Sequence, residues 1–338
     1  MSLLRHHAAI AAILLLTPAL CHAQKNNKGK AGYDRAARAT LLHTANVYTA
    51  ADASNTPIAE VTPGHEVVVV ERSAPWVKVF ANTDTQDQSD PDETPDFAED
   101  ATVTPASGWI RDKGIVTPTT PNGDSILYGA AATFEDEAQQ PHAPKGAAAA
   151  AHLLYRRVFE YFPDSPLAAQ AAYRSADIRW QLDKFDISTL PSAKEQESYL
   201  RPQLYEGDLK KVMKFYPNTK FAGLAAYDLI DNKLCGDWQG LPKCPEMETG
   251  LYVRYAQQFP DSPKAPEALY NAVYRQGVLV TMYTVEEDRK RSEYAAKQTQ
   301  ALAADMKQRY PDSDFTARAA SIAYKVTQDI AVYGNDRD

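Results

Sequence analysis

The sequence lacks an apolar run long enough to span a membrane. The run at residues 8–16 is too short and no later run reaches the required length, which is about 20 residues for a helix. Arg5 precedes this run and Cys21-His22-Ala23 follows it, an order typical of a secretory signal peptide and its cleavage site. Leu20, rather than a small residue, precedes Cys21, which disfavours a lipid anchor there. We therefore predict a signal peptide at residues 1–23, a periplasmic or secreted mature protein, and no stable membrane insertion.

Cysteine and histidine are scarce, which limits the metal and redox chemistry open to the chain. Removal of the signal peptide leaves two cysteines, Cys235 and Cys244. An even pair in an exported protein favours a disulfide, and the spacing of this pair differs from that of thioredoxin-type redox motifs. We therefore predict a structural disulfide between these two cysteines. A zinc site needs closely spaced ligands, so we predict no metal, and we predict no cofactor. The four histidines that remain are dispersed: His43, His65, His142 and His152.

Basic residues are outnumbered, and the imbalance is local. The net charge of −8 equals the number of acidic residues in the segment 84–104, which has no basic residue. The remainder is balanced and shows no basic stripe, so we predict no nucleic-acid partner. The segment is rich in aspartate and proline and poor in apolar residues, which predicts a solvated insert. Calcium binding is the alternative, although the segment lacks the glycine-centred order of a calcium loop. Its acidic residues are Asp84, Asp87, Asp90, Asp92, Glu93, Asp96, Glu99 and Asp100.

Catalytic motifs are almost absent. Gly123-Asp124-Ser125 resembles the first block of GDSL-type hydrolases, in which the serine is the nucleophile. The later blocks of that family, including an Asp-x-x-His near the C-terminus, are missing. A lone three-residue match is a weak signal, and Asp124 or Ser125 can instead cap a helix that starts at Ile126. We therefore predict that the protein is not an enzyme.

The first part of the mature chain has the pattern of short strands. After an unpatterned start at residues 24–36, predicted to be disordered, Gly64 marks a turn before the β-branched run at 67–70. Residues 76–80 alternate apolar with polar, and Gly108-Trp109-Ile110 resumes the pattern after the insert. This order resembles a bacterial SH3-like (SH3b) domain over residues 37–118, which implies a small β-barrel. An oligonucleotide-binding barrel competes, but the tryptophan spacing and the neutral charge disfavour it.

An aromatic-Pro-Asp-Ser tetrad, with small variations, recurs in the second half of the chain. The residue before a proline is disfavoured in the helical conformation, and hydroxyl side chains are good N-caps for the next helix. Each tetrad therefore predicts a helix end, a tight turn and a helix start, with Pro166 and Pro263 at the first helical position. The four copies are Phe162-Pro163-Asp164-Ser165, Tyr216-Pro217-Asn218-Thr219, Phe259-Pro260-Asp261-Ser262 and Tyr310-Pro311-Asp312-Ser313.

The residues after the first three tetrads are also alike, with alanine five positions and tyrosine ten positions beyond the proline. Alanine lets two helices approach closely, and the tyrosine ring fills the space beside them. Two capping boxes, Ser192 with Glu195 and Thr284 with Glu287, predict further helix starts. The repeated positions are Ala168, Ala222 and Ala265, and Tyr173, Tyr227 and Tyr270.

This array resembles the tetratricopeptide domains of exported bacterial proteins, such as the TolA-binding cell-division coordinator and the outer-membrane assembly lipoprotein that carries such repeats. The resemblance covers residues 146–333 and implies an α-solenoid of about eight helices. The segment 119–145 is predicted to be a linker with a short helix. The predicted fold is therefore multi-domain, β then α: a small SH3-like β-barrel followed by an α-solenoid of tetratricopeptide-like helix pairs.

Aromatic side chains are the candidate binding residues. Trp76 and Trp109 could line a peptide groove of the SH3-like domain, and packing in the barrel core is an equal alternative. Four tyrosines fall outside the repeat frame, and we expect them on an exposed surface: Tyr199, Tyr205, Tyr283 and Tyr294.

The two resemblances together imply an exported, non-enzymatic adaptor of the bacterial cell envelope. The helical repeats would bind envelope proteins or peptides, and a second contact from the SH3-like domain would raise the effective concentration. The alternative is a peptidoglycan-binding SH3-like module whose repeats recruit a cell-wall enzyme. Because the tetrads are alike and the stretches between them are not, partner specificity is expected in those stretches, including the cysteine loop.

Overall fold

Short strands form the first part of the structure. The computed structural model describes residues 38–86 and 104–334, so the predicted signal peptide, the predicted disordered start and most of the acidic insert lie outside the described residues. The strands within these ranges are β1 (Arg38–Leu41), β2 (Ala45–Val47), β3 (Ala59–Val61), β4 (Glu66–Ser73), β5 (Trp76–Ala81), β6 (Ala106–Arg111) and β7 (Ile115–Val116).

Five of these strands pair in one open antiparallel sheet, in the order β6-β5-β4-β1-β7. Strands β2 and β3 form a separate antiparallel pair. Tyr48, just after β2, exchanges two backbone hydrogen bonds of 2.9 and 2.7 Å with Trp109 of β6, which joins the pair to the sheet edge. The predicted strands at residues 67–70, 76–80 and 108–110 are confirmed within β4, β5 and β6.

The buried face of the sheet follows from the two-residue period of its strands. Leu41, Val67 and Ile110 lie on different strands and are all fully buried. In β5, Val77 and Val79 are buried while Lys78 and Phe80 between and beyond them retain exposure. This alternation places one apolar face inward, as expected for a half-buried antiparallel strand.

Helices make up the rest of the described chain. Within residues 146–333, all of which the structure describes, there are eight α-helices, as the sequence predicts. None of the helices in the described ranges is both long and apolar enough to cross a membrane. The helices are α1 (Gly123–Ala138), α2 (Ala147–Tyr161), α3 (Ala168–Ser188), α4 (Gly207–Phe215), α5 (Lys220–Asp228), α6 (Lys243–Gln258), α7 (Ala265–Val285), α8 (Arg289–Arg309) and α9 (Asp314–Thr327).

Each tetrad ends one helix and starts the next. Helices α2, α4, α6 and α8 all stop immediately before the tetrad aromatic residue, whose backbone is no longer helical. Thr219 and Ser313 cap α5 and α9 through their side chains, as predicted. Pro166 and Pro263 instead lie in the turn, because α3 and α7 begin two residues after each proline. The prediction that these prolines occupy the first helical position is therefore wrong by two residues.

The two predicted capping boxes do not start helices. Thr284 lies in the last turn of α7 and donates a hydrogen bond to the carbonyl of Val280, and Asp288 caps α8 instead. The helix continues past the predicted start because the ring of Tyr283 is buried against its neighbours. Ser192 lies in a short 3₁₀ turn, Pro191–Lys194. Tertiary packing overrides the local signal at Thr284.

The repeated alanines and tyrosines pack between successive helices. Ala168, Ala222 and Ala265 are all buried. Tyr173 of α3 stacks on Phe221 of α5, with ring centroids 6.1 Å apart. The corresponding Tyr270 of α7 lies 5.6 Å from Phe315 of α9, and Tyr227 of α5 lies 5.2 Å from Tyr255 of α6. These contacts support the predicted packing role of the repeated residues.

A buried ion pair joins the sheet to α2. Arg157 of α2 is 2% exposed and donates hydrogen bonds to the carbonyl of Gly64 at 2.9 Å and to the carboxylate of Asp84 at 2.6 Å. Burial raises the pKa of Asp84, but Arg157 and His65 more than offset this and lower it to about 2. Asp84 is therefore an ionised partner of Arg157, and the expectation that the whole insert is solvated is wrong for its first acidic residue.

His152, a residue of α2 that packs against α3, makes the stability of the fold depend on pH. Its ring is 3% exposed and its Nδ1 lies 2.8 Å from the carbonyl of Ser175. Burial lowers the pKa of His152 from 6.5 to about 4. The unfolded chain therefore takes up this proton at a higher pH than the folded chain does. The contribution to stability is complete above pH 6.5 and is lost as the pH falls towards 4.

We predict that His152→Gln weakens this acid sensitivity, because glutamine does not titrate. Between pH 7.5 and 5, wild type should lose about 2 kcal/mol more unfolding free energy than the variant. Urea unfolding at both pH values measures this difference. His142→Gln, at an exposed histidine, is the matched control and should keep the wild-type pH dependence. An identical decline in His152→Gln and wild type would contradict the assignment.

Candidate functional site

Two irregular stretches that separate the helices lie side by side. One connects α3 to α4 and the other connects α5 to α6. The amide of Gly236 donates to the carbonyl of Glu195 at 2.9 Å, and the amide of Asp237 donates to the carbonyl of Lys194 at 3.1 Å. Lys243 and Glu197 form an ion pair of 2.5 Å across the same junction. The two stretches are thus bonded directly to each other.

A groove of about 390 Å³ opens between these two stretches. We call it the cysteine-loop groove, because Gly236 in its wall follows Cys235 directly. Its volume falls within the range of small-molecule and peptide-side-chain pockets, about 300–1,000 Å³. Its lining combines polar and charged side chains with four apolar residues, Ile187, Ala193, Pro202 and Leu204. Its lining includes Lys184, Lys194, Arg201 and Asp231 as charged residues.

Side chains from inside the groove satisfy the irregular backbone around it. Arg201 donates to the carbonyls of Ala193 at 3.1 Å and Leu234 at 2.6 Å, one from each stretch. The side-chain carboxamide of Asn232 accepts a hydrogen bond from the backbone amide of Leu204 and donates one to the backbone carbonyl of the same residue, both at 2.9 Å. Buried backbone polar groups need such partners where no helix supplies them. The groove is therefore built from a bonded framework.

A buried carboxylate holds the cysteine loop in place. Cys235 and Cys244 form a disulfide, with their Cα atoms 6.0 Å apart. Glu248 of α6, which is 0% exposed, accepts from the Cys235 amide at 2.8 Å and from the Trp238 indole at 3.3 Å. One side chain thus binds both the start and the middle of the loop that the disulfide closes.

Arg275 of α7 neutralises this carboxylate. Its Nε lies 2.7 Å from the second oxygen of Glu248, and the side chain is 2% exposed. The guanidinium also lies over the ring of Tyr252, 4.6 Å from the centroid, and donates to Asn271. Sequence reasoning missed this pair. The available signal was Glu248 itself, since it shares the buried face of α6 with Tyr252 four residues later.

Several exposed apolar residues are close to the groove residues in the sequence. Tyr199 is 75% exposed and Leu200 is 54% exposed, in a 3₁₀ turn between the groove residues Lys194 and Arg201. Phe185 and Leu190, at the end of α3 and just beyond it, are also exposed. Apolar side chains that are exposed as a group mark interaction sites more often than single ones do. Tyr199, predicted from the sequence to be exposed, thus lies two positions before the groove residue Arg201.

The other predicted tyrosines lie elsewhere or are covered. Tyr205 is half-buried, with the guanidinium of Arg179 4.0 Å above its ring. Tyr283 is 3% exposed and donates a hydrogen bond to Glu246, so the expectation of an exposed ring is wrong there. The physical reason is that Arg291 of α8 covers the ring. Tyr294 is 63% exposed on α8, outside the set of groove residues.

The two predicted tryptophans lie on the same face of neighbouring strands, because Trp109 pairs with Lys78, two residues after Trp76. Trp76 is 6% exposed, with Tyr48 in edge contact and Arg111 4.0 Å above its ring. Trp109 is half-buried. Packing therefore accounts for Trp76, and Trp109 keeps part of its surface open.

Ser125 lies in the first turn of α1 and is exposed. Its neighbour Asp124 accepts a hydrogen bond of 2.6 Å from Ser165, which lowers the pKa of that carboxyl. The helix starts at Gly123 after Asn122, so the expected cap before Ile126 is wrong. Within the described residues, no group of three or more His, Cys, Asp or Glu side chains is placed to hold a metal ion.

Comparison with known proteins adds no family to these observations. No protein-family model matches the chain, and no curated protein matches it either. The interpretation of the groove therefore depends on its own geometry and on the sequence resemblances described above.

We predict that Glu248→Gln destabilises the protein strongly, because the amide leaves the buried guanidinium of Arg275 without a counter-charge. Removing one partner of a buried ion pair costs about 3–5 kcal/mol. Urea unfolding measures the loss. Glu267→Gln, which removes the carboxylate from a partly exposed ion pair with Lys264, is the matched control and should change stability by less than about 1 kcal/mol. Equal effects of the two substitutions would contradict the role given to Glu248.

Proposed function

We propose that this protein is an exported, non-enzymatic adaptor of the bacterial cell envelope, which binds a protein or peptide partner at the cysteine-loop groove. The proposal includes a tetratricopeptide-like solenoid for α2 to α9 and an SH3-like barrel for β1 to β7. The tetrads, which end and start helices throughout the second half, support the first part. The strand order around Trp76 and Gly108-Trp109-Ile110 supports the second.

The observation that carries the binding proposal is the exposure of Tyr199 and Leu200, which directly precede the groove residue Arg201 in the chain. Burying either side chain at an interface would contribute about 1.5–3 kcal/mol, and tyrosine is enriched among residues that dominate binding energy. Arg201, which directly follows Leu200, donates to the Leu234 carbonyl, and Asn232 donates to the Leu204 carbonyl, so the chain is tied down just after these side chains. A surface fixed in this way loses little conformational entropy when a partner binds.

The SH3-like sheet would supply the second contact. Trp109 and Phe80 retain exposed ring surface at β6 and β5. Aromatic rings on an open sheet also suit peptidoglycan, and the partial exposure of Trp109 is the observation that favours this alternative. In that case the repeats would recruit a cell-wall enzyme.

We predict that Tyr199→Ala weakens capture of the partner at least tenfold, because an exposed tyrosine ring leaves the interface. The measurement is quantitative copurification of envelope proteins with the tagged mature chain. Tyr294→Ala, which removes an exposed tyrosine from α8, is the matched control and should capture as wild type does. Capture that is equal in wild type and Tyr199→Ala would contradict the proposal. Sedimentation with purified sacculi that depends on Trp109 would instead favour the peptidoglycan alternative.

A further inference from the structure

We propose that helices α7 and α9 form a second peptide-binding site, which residues 328–334 of this chain fill and which an extended partner segment with a β-branched apolar residue can occupy instead. We call this site the Gly277 notch and define it by Tyr274, Gly277 and Thr281 of α7 and Ile322 of α9. None of these residues lines the cysteine-loop groove, and the notch does not depend on the function proposed for that groove.

A turn at the end of α9 sends residues 328–334 back to α7. Asp329 has a φ of 52°, and a left-handed residue just after the last turn is a common way for a helix to end. The amide of Ile330 donates to the carbonyl of Lys325 at 2.9 Å, which closes the turn. Up to residue 334, the last that the structure describes, no further helix or strand follows. The segment reaches Thr281, which precedes Val332 by 51 positions in the chain.

Two side chains of α7 bind the backbone of this segment. The amide of Val332 donates to the Thr281 hydroxyl at 2.9 Å, and the Tyr274 hydroxyl donates to the carbonyl of Tyr333, also at 2.9 Å. Thr281 and Tyr274 are about two helical turns apart, so they lie on the same face of α7. Because every peptide has backbone amides and carbonyls, these contacts do not depend on the sequence of the ligand.

One side chain of the segment is buried in the notch. Val332 is 5% exposed, whereas Ile330 is 51% exposed and Tyr333 is 76% exposed. Gly277 forms the floor beneath Val332, because a Cβ atom at this position would touch Val332 at 3.5 Å and would clash with Ile322 at 2.7 Å. Glycine within a helix is less stable than alanine, so the close packing against α7 explains why glycine is present there. The notch therefore selects its ligand at one position, which accepts valine or a residue of similar shape.

Residues 328–334 are held by few contacts and can leave the notch while the helices stay folded. Their contacts with α7 described above are one buried side chain and two hydrogen bonds. Segments with few buried apolar contacts open at a lower free energy than the core does. While bound, the segment competes with an outside peptide at an effective concentration on the order of 1 mM. A partner segment therefore binds when its own contacts outweigh this internal competitor.

The test uses the full mature chain and a fluorescein-labelled peptide with the sequence of residues 328–334, and it measures binding by fluorescence anisotropy. In Val332→Asp, an unpaired charge in the notch is costly, so the internal segment leaves the site. We expect the peptide to bind Val332→Asp at least tenfold more tightly than wild type. Tyr333→Asp is the matched control, because it places the same charge on a side chain that is 76% exposed. This control should bind the peptide as wild type does.

Further changes locate the binding in the notch. A peptide with aspartate in place of its valine should not bind Val332→Asp. Adding Thr281→Val to Val332→Asp should weaken binding of the valine peptide about fivefold, because the ligand amide loses its acceptor. Val332→Ala is a smaller change that should also bind the peptide more tightly than wild type, and it replaces Val332→Asp if that variant does not fold.

Equal affinity of the peptide for wild type and the Val332 variants, or no saturation of these variants by about 1 mM peptide, would overturn the assignment. Residues 328–334 would then be a structural cap of α7 alone. Equal binding of the valine and aspartate peptides would overturn it as well. If light scattering shows a dimer for wild type and a monomer for Val332→Asp, the notch holds the segment of a second copy and the outside partner is wrong. Partner capture at the cysteine-loop groove is tested separately by Tyr199→Ala.

Discussion

The buried ion pair between Glu248 and Arg275 is the interaction on which the cysteine-loop groove depends. Both side chains are almost fully withdrawn from water, and removing two charges from water costs several kcal/mol per ion. The cost is offset here by hydrogen bonds that a hydrophobic pair could not make. Glu248 binds the Cys235 amide and the Trp238 indole as well as Arg275. The pair therefore determines where the loop lies, and the disulfide limits how far the loop can move.

The groove also depends on the regularity of the helices around it. The tetrads set the ends of α2, α4, α6 and α8, so the connecting stretches between α3 and α4 and between α5 and α6 occupy defined positions. At the other end of the array, Arg157 ties α2 to the sheet through Gly64 and Asp84. Regular helices and buried ion pairs thus give a rigid support to an irregular surface. Such a division would suit the proposed binding function, because binding residues often lie on loops positioned by a rigid scaffold.

Much of the fold follows from local rules and was predictable. The residue before a proline is disfavoured in the helical conformation, so the tetrads predicted the helix ends correctly, and the two-residue alternation of 76–80 predicted a strand correctly. The helix start predicted from the capping box at Thr284 is wrong, because the buried ring of Tyr283 stabilises the last turn of α7. The pair of Glu248 and Arg275 was not predictable in the same way. Its members are 27 positions apart, and only the packing of α6 on α7 brings them together.

The sequence indicated which chain segments would contribute to the candidate site, but not the groove that they form. The variable stretches between tetrads, including the cysteine loop, were expected to carry specificity, and Tyr199 was expected to be exposed, as it is. The groove itself arises from contacts between the two stretches, such as Arg201 with Leu234, which no spacing in the sequence encodes. Tyr283 lies outside the repeated positions of the sequence, which predicted an exposed ring. In the structure, Arg291 covers this ring.

The most direct test of this account is amide hydrogen exchange in wild type and Glu248→Gln. The amides of Cys235, Gly236 and Asp237 donate to Glu248, Glu195 and Lys194 respectively, so they should be protected in wild type. In the variant, protection of these three amides should fall by at least tenfold, whereas the control substitution Glu267→Gln should leave their protection largely unchanged. Unchanged protection of the three amides in Glu248→Gln would contradict the claim that this carboxylate holds the groove together.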